Sequence, residues 1–141
     1  MGIKVKRVHI DEIKQHGERS YPHECCGFLL GSNEGGSNVL EEVYPAENER
    51  EDSRHNRYLI TPDQYKRADA HARELRLGII GYYHSHPDHP AAPSGYDLDH
   101  SCWPGESYII VSIEQGRAAA LNSFTKPDYT KFEREEIIIV E

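Results

Sequence analysis

Gly78-Ile79-Ile80-Gly81-Tyr82-Tyr83-His84-Ser85-His86-Pro87 is the stretch on which the architecture of this chain turns. Its first six residues are rich in β-branched and aromatic side chains and read as a strand. Positions two apart on a strand share a face, roughly 6.5–7 Å apart along it. His84 and His86 therefore point the same way at the strand's end, and Ser85 points the other way. Pro87 has no N–H to donate and stops the ladder. The strand is fed by the clearest helix start in the chain, Thr61-Pro62-Asp63-Gln64. Thr61 is an N-cap, Pro62 suits the first helical position, and Gln64 completes the capping box. Tyr65, Ala68, Ala72 and Leu75 then recur on one helical face, and Gly78 ends the helix and opens the strand.

The flanking sequence extends this α/β pattern. Ile3 to Val8 alternates weakly as a strand, and Asp11 is placed to cap a helix running towards Arg19, with Ile10 and Ile13 as apolar contacts and Gly17 weakening it. Tyr21-Pro22 ends that helix. Cys25-Cys26-Gly27-Phe28-Leu29-Leu30-Gly31 reads as a buried strand, Asn33-Glu34-Gly35-Gly36-Ser37 as a turn, and residues 39–44 as the returning strand. Residues 47–56 are polar and irregular, and Arg57-Tyr58-Leu59-Ile60 reads as a short strand. Tyr108 to Ile113, a turn at Glu114-Gln115-Gly116-Arg117, and Ala118 to Phe124 form a hairpin. Ile137-Ile138-Ile139-Val140 reads as a last strand. The expected architecture is one domain over residues 1–141, a mixed β-sheet flanked by two to three helices.

After Pro87 comes a proline-stiffened loop, Asp88-His89-Pro90-Ala91-Ala92-Pro93, and then Ser94-Gly95-Tyr96-Asp97, which reads as the start of a short helix. Two imidazoles and one carboxylate make a three-ligand set that leaves a coordination position open. An open position on zinc holds a water whose pKa falls to about 7, which suits hydrolysis. Each fragment has a plainer reading. A His-x-His pair is often only polar decoration of a strand, and Ser94 with Asp97 fits a capping box serving a helix N-terminus. The weight lies in the conjunction: His-x-His, seven residues, Ser, two residues, Asp.

That conjunction resembles the signature of the JAMM metalloproteases, the catalytic branch of the MPN domain family. The family pattern is an upstream Glu followed by His-x-His-x7-Ser-x2-Asp. It is matched here by Glu24, His84, His86, Ser94 and Asp97 without departure, over residues 3–124. The resemblance implies an MPN-type fold with a layering like that of the cytidine deaminases. It implies that His84, His86 and Asp97 bind a catalytic Zn2+, with water as fourth ligand. Glu24 would accept that water's proton and deliver it to the leaving amine, and Ser94 would donate to the oxyanion. Family members cleave after the C-terminal Gly-Gly of ubiquitin or ubiquitin-like proteins. The short chain looks like the small free-standing bacterial members, which resemble peptidases acting on sulphur-carrier proteins. Residues 57–60 and 87–93 are, by analogy, where such a tail would lie.

Composition agrees with this expectation. The chain has 141 residues, 28% of them charged, and a formal net charge of -8. No basic stripe marks a nucleic-acid partner. A mean hydropathy of -0.75 and the lack of a long apolar run argue against a membrane span. The N-terminus shows no apolar signal region, so the expected location is cytoplasmic. Cys25, Cys26 and Cys102 have no Cys-x-x-Cys spacing for a structural zinc. They read as small buried hydrophobes, although Cys25 and Cys102 would come close if Glu24 and Asp97 converge, and oxidation would then link them. Of nine histidines, His89 and His100 lie near the motif; a solvated or capping role is the plainer reading for both, and an outer partner or competing ligand is the alternative for His100. Two other readings stand beside the peptidase: a catalytically silent MPN-type module that binds ubiquitin-like tails, and an iron oxygenase of the cupin kind. The helix from Thr61 and the lack of a Glu soon after His86 count against the cupin.

Overall fold

The computed structural model describes residues 2–50, 58–94, 105–128 and 131–141. In chain order the elements are β1 (Ile3–Val5), α1 (Arg7–Ser20), β2 (Cys26–Glu34), β3 (Ser37–Ala46), α2 (Pro62–Glu74), β4 (Gly78–Pro87), β5 (Ser107–Glu114), β6 (Arg117–Asp128), β7 (Lys131–Glu135) and β8 (Ile137–Ile139). The strands form one mixed sheet in the order β7-β6-β5-β4-β2-β3-β1-β8. The expected mixed sheet with flanking helices is what the chain adopts.

The sheet is covered on both faces, and the alternation along β4 explains how. Tyr83 is buried in a cluster with Ile13, Leu29, Ile109, Val111 and Ile113, on the side of α1. Tyr82 is buried with Phe28, Tyr108, Ala68 and Ala72, on the side of α2. Period-two side-chain alternation therefore divides one strand between two cores. The paired strands bring β2 antiparallel to β4 and β5 parallel to it. His84 and His86 continue the Tyr82 face, beyond the part that α2 covers. Among the described residues no helix is long and apolar enough to cross a membrane.

Several expectations need correction. The first helix begins at Arg7 rather than near Asp11. Its N-terminus is closed by His9, whose Nδ1 accepts from the Lys6 N–H at 3.2 Å. The other ring nitrogen of His9 lies 3.2 Å from the Glu41 carbonyl, so Nε2 is the donor. An imidazole thus takes the place that Glu or Gln holds in the usual capping box, which hid the start. Gly17 lies within the helix and lets it approach the sheet: a Cβ there would stand 2.7 Å from Ile113 Cδ1. In α2 the cap is as expected, with Gln64 N–H donating to Thr61 Oγ1 at 3.2 Å and Thr61 N–H to Gln64 Oε1 at 2.9 Å. The buried face is Gln64, Ala68 and Ala72, whereas Tyr65 and Leu75 are 40% and 45% exposed, Tyr65 with its ring against Phe28. The helix closes at Leu75, and Arg76 takes the left-handed turn with φ 60°, so Gly78 only opens the strand. Residues 58–60 are not a strand. β7 was not expected, and the second hairpin turns through positive φ at Gln115 and Gly116, 49° and 89°, the pattern of a two-residue primed turn.

His16 ties α1 to the strand that carries the site: its Nδ1 lies 2.7 Å from the Tyr83 hydroxyl. Burial, and then the nearby Arg19 charge, hold the His16 imidazole below its ordinary pKa. A histidine buried neutral contributes stability that is fully present above its ordinary value near 6.5 and is lost as pH falls through that value towards the lower folded one. The denaturation midpoint is therefore expected to drop on acidification through that range, and to drop less in His16→Gln. An identical pH dependence in wild type and variant would remove His16 from the account.

Candidate active site

Register builds the site. On the antiparallel β2–β4 pair, Cys26 stands opposite His84 and Gly27 opposite Tyr83. Two residues before Cys26, Glu24 thus arrives alongside His86, although 62 positions separate them in sequence. The backbone at this crossing is held by Ser85, which faces away from the two histidines as expected. Its Oγ accepts from the Cys25 N–H at 2.8 Å, and its own N–H donates to the Cys25 carbonyl at 3.1 Å. The serine between the histidines therefore anchors the chain that presents Glu24.

His84 and His86 are both buried, and their Nε2 atoms lie 3.1 Å apart. His86 Nδ1 is 2.8 Å from the Pro90 carbonyl. A carbonyl only accepts, so this Nδ1 carries a proton, and in its neutral form His86 turns the lone pair of Nε2 towards His84. That arrangement fits a metal ligand, whose far nitrogen is normally fixed by an outer acceptor. The spacing fits as well: two nitrogens on a tetrahedral zinc, each about 2.0–2.1 Å from it, stand about 3.3 Å apart. Tyr58 stacks on His84, with ring centroids 4.8 Å apart and planes at 27°.

Glu24, His86, His89, Pro90, Ala92, Pro93 and Ser94 line one cleft of about 360 Å³. Glu24 is only 5% exposed. The structure thus brings together four of the five sequence-derived site residues: Glu24, His86 and Ser94 on the cleft wall, and His84 directly beside His86. The fifth, Asp97, lies outside the described residues, as do His100 and Cys102. Among the described residues alone, no three His, Cys, Asp or Glu side chains form a metal-binding group. Cys25 and Cys26 are buried beside the site. Burial pushes the Cys25 thiol up to about 11 and the Cys26 thiol up as well, so neither is a ready thiolate.

Two contributors escaped the sequence reading. The Pro90 carbonyl that orients His86 is a backbone atom, invisible to any side-chain motif. Asn48 lay in a polar stretch read only as loop. Its Nδ2 donates to the Glu24 carbonyl at 3.1 Å, and its Oδ1 accepts from the N–H groups of Arg50 at 3.1 Å and Leu59 at 3.0 Å.

Comparison with known proteins identifies the family and the fold. Residues 6–125 match the family model described as prokaryotic homologs of the JAB domain. A probable TtuB-protein conjugate cleaving protease of Thermus thermophilus is 31% identical over 119 residues, 84% of this chain and 76% of the relative. A desampylase of Haloferax volcanii is 29% identical over 99 residues, 70% of this chain and 68% of the relative. The solution structure of a protein from Salinibacter ruber superposes with a TM-score of 0.78 at 42% identity, covering 100% of this chain and 92% of the other. A JAB1/MPN domain protein from Archaeoglobus fulgidus shares the fold, with a TM-score of 0.62 at 19% identity over 99% of this chain and 97% of the other. The chain belongs to the family of prokaryotic homologs of the JAB domain. The cupin reading falls with that membership and with the two helices that sandwich the sheet.

Proposed function

We propose that the protein is a zinc-dependent isopeptidase that cleaves the amide bond after the C-terminal Gly-Gly of a ubiquitin-like or sulphur-carrier protein. The observation that carries this reading is the convergence of Glu24 with two imidazoles whose Nε2 atoms lie 3.1 Å apart at the wall of one cleft. The names of the two relatives, one a desampylase and the other a conjugate-cleaving protease, favour the same substrate class.

His84, His86 and Asp97 would hold the zinc, which supplies Lewis-acid polarisation of the scissile carbonyl and acidifies a bound water. Glu24 takes the proton of the attacking water and passes it to the departing amine, as general base and then general acid. Ser94 donates a hydrogen bond to the oxygen on which negative charge develops. The Pro90 carbonyl keeps His86 in one tautomer. The apolar cleft wall from Pro90 to Pro93 would receive the extended, side-chain-free tail.

The test is to incubate zinc-loaded protein with a ubiquitin-like carrier bearing an amino acid or short peptide after Gly-Gly, and to read intact mass. Loss of the adduct mass is expected in the loaded wild type only, and not after chelation. No cleavage of sulphur-carrier or ubiquitin-type conjugates at full zinc content would favour instead the catalytically silent module that binds such tails.

A further inference from the structure

We propose that Asn48 is a positioning residue that fixes Glu24 and the Tyr58 cover of His84 as one unit. The inference deepens the isopeptidase reading, and its structural half stands without it. A local role for Asn48 is easy to state: accepting from the N–H two residues on, at Arg50, is an ordinary Asx turn. That role needs only the side-chain oxygen, and Asp would serve equally. Asn48 does more. Its amide nitrogen reaches Glu24, 24 residues back, and its oxygen also takes the Leu59 N–H, 11 residues ahead.

Those two long-range bonds end at the two walls of the site. The Glu24 carbonyl belongs to the residue that faces the cleft. Leu59 follows Tyr58, the ring stacked on His84. The run is reinforced where the Glu49 N–H donates to the Leu59 carbonyl at 3.1 Å, and where Gln64 Nε2 donates to the Glu47 carbonyl at 2.9 Å. On its other side the Glu24 backbone is gripped through Cys25 by Ser85. Glu24 is thus clasped from β4 by Ser85 and from the 47–50 segment by Asn48. The Asn48 amide is donor and acceptor at once, whereas an ionised carboxylate offers no donor. In Asn48→Asp, an oxygen would face the Glu24 carbonyl oxygen, acceptor against acceptor, while the bonds to Arg50 and Leu59 persist.

The experiment uses isotope-labelled protein, two Asn48 variants and one Tyr58 reference variant. Ring-current shifts of the His84 ring protons report the Tyr58 stack, with Tyr58→Leu as the unstacked reference. The Cys25 amide nitrogen shift reports hydrogen bonding at the Glu24 carbonyl. In Asn48→Ala both signals are expected to move, the His84 shift towards that of Tyr58→Leu. In Asn48→Asp only the Cys25 signal is expected to move, which keeps the test open if the alanine variant does not fold. In cleavage assays kcat is expected to fall in both by roughly 10²-fold with KM little changed, the size of effect that follows small misplacement of a reacting group. Unchanged resonances overturn the proposal, and so does unchanged kcat in variants of an enzyme that cleaves. If the wild type cleaves no conjugate, the isopeptidase reading falls while the resonances still decide the clamp.

Discussion

Glu24→Ala is expected to lower conjugate cleavage by roughly 10²–10⁴ in kcat, the span of general acid–base catalysis by a placed side chain, with bound zinc retained. Glu24 lines the cleft beside His86 and is almost fully buried, yet its chain position is fixed by backbone bonds to Asn48 and, through Cys25, to Ser85. Removing its carboxylate therefore takes away a proton acceptor without loosening the strand crossing, and the denaturation midpoint should change little. His86→Ala is the contrasting case: it removes a proposed ligand, so metal content and turnover should fall together. Single-turnover cleavage and elemental analysis on the same samples separate the two. Full activity in Glu24→Ala would overturn the general-base assignment, and loss of zinc there would turn Glu24 into a ligand.

A large effect on stability is expected at Gly81. This residue pairs with Ser107 on the parallel β4–β5 ladder and with Leu29 on β2. A Cβ built on it would lie 1.9 Å from the Ser107 carbonyl oxygen. That obstacle is main chain, and a strand paired on both sides has little room to move. Overpacking a core typically costs about 1–3 kcal/mol and occasionally more; here Gly81→Ala is expected at or above the top of that range, out of a total of about 5–15 kcal/mol. Gly78, at the start of the same strand, has nothing within 4 Å of its built Cβ, so Gly78→Ala is the matched control and should be close to neutral. Urea unfolding at constant m-value reads both. Similar midpoints for the two variants would mean that β4 and β5 part locally at low cost.

What could be read from the chain beforehand follows from locality. The alternation of β4, the box at Thr61 and the Gly-containing turns are short-range signals, and each appears where the residues place it. The convergence of Glu24 with His86 was legible only through the family pattern, because it depends on β2–β4 register, which no single strand encodes. β7 was illegible for a different reason. Lys131-Phe132-Glu133-Arg134-Glu135 looks like surface polarity, but edge strands carry charge to discourage further pairing. Here Phe132 packs edge-on against Tyr108 and Phe124, and Glu135 accepts from Ser123 Oγ at 2.7 Å. Residues 58–60 failed as a strand because their described partners are the Asn48 side chain and the Glu49 main chain rather than the sheet.

The capping box of α2 has a consequence for sequence drift. Helix chemistry accepts Glu and Gln alike at its third position, since either reaches back to the cap N–H. Gln64 also spends its amide N–H on the Glu47 carbonyl, next to the clamp residue Asn48. A carboxylate has no hydrogen to offer there. The freedom that the helix alone would allow is therefore narrowed by a main-chain carbonyl 17 positions earlier, which Glu at position 64 would leave without its donor.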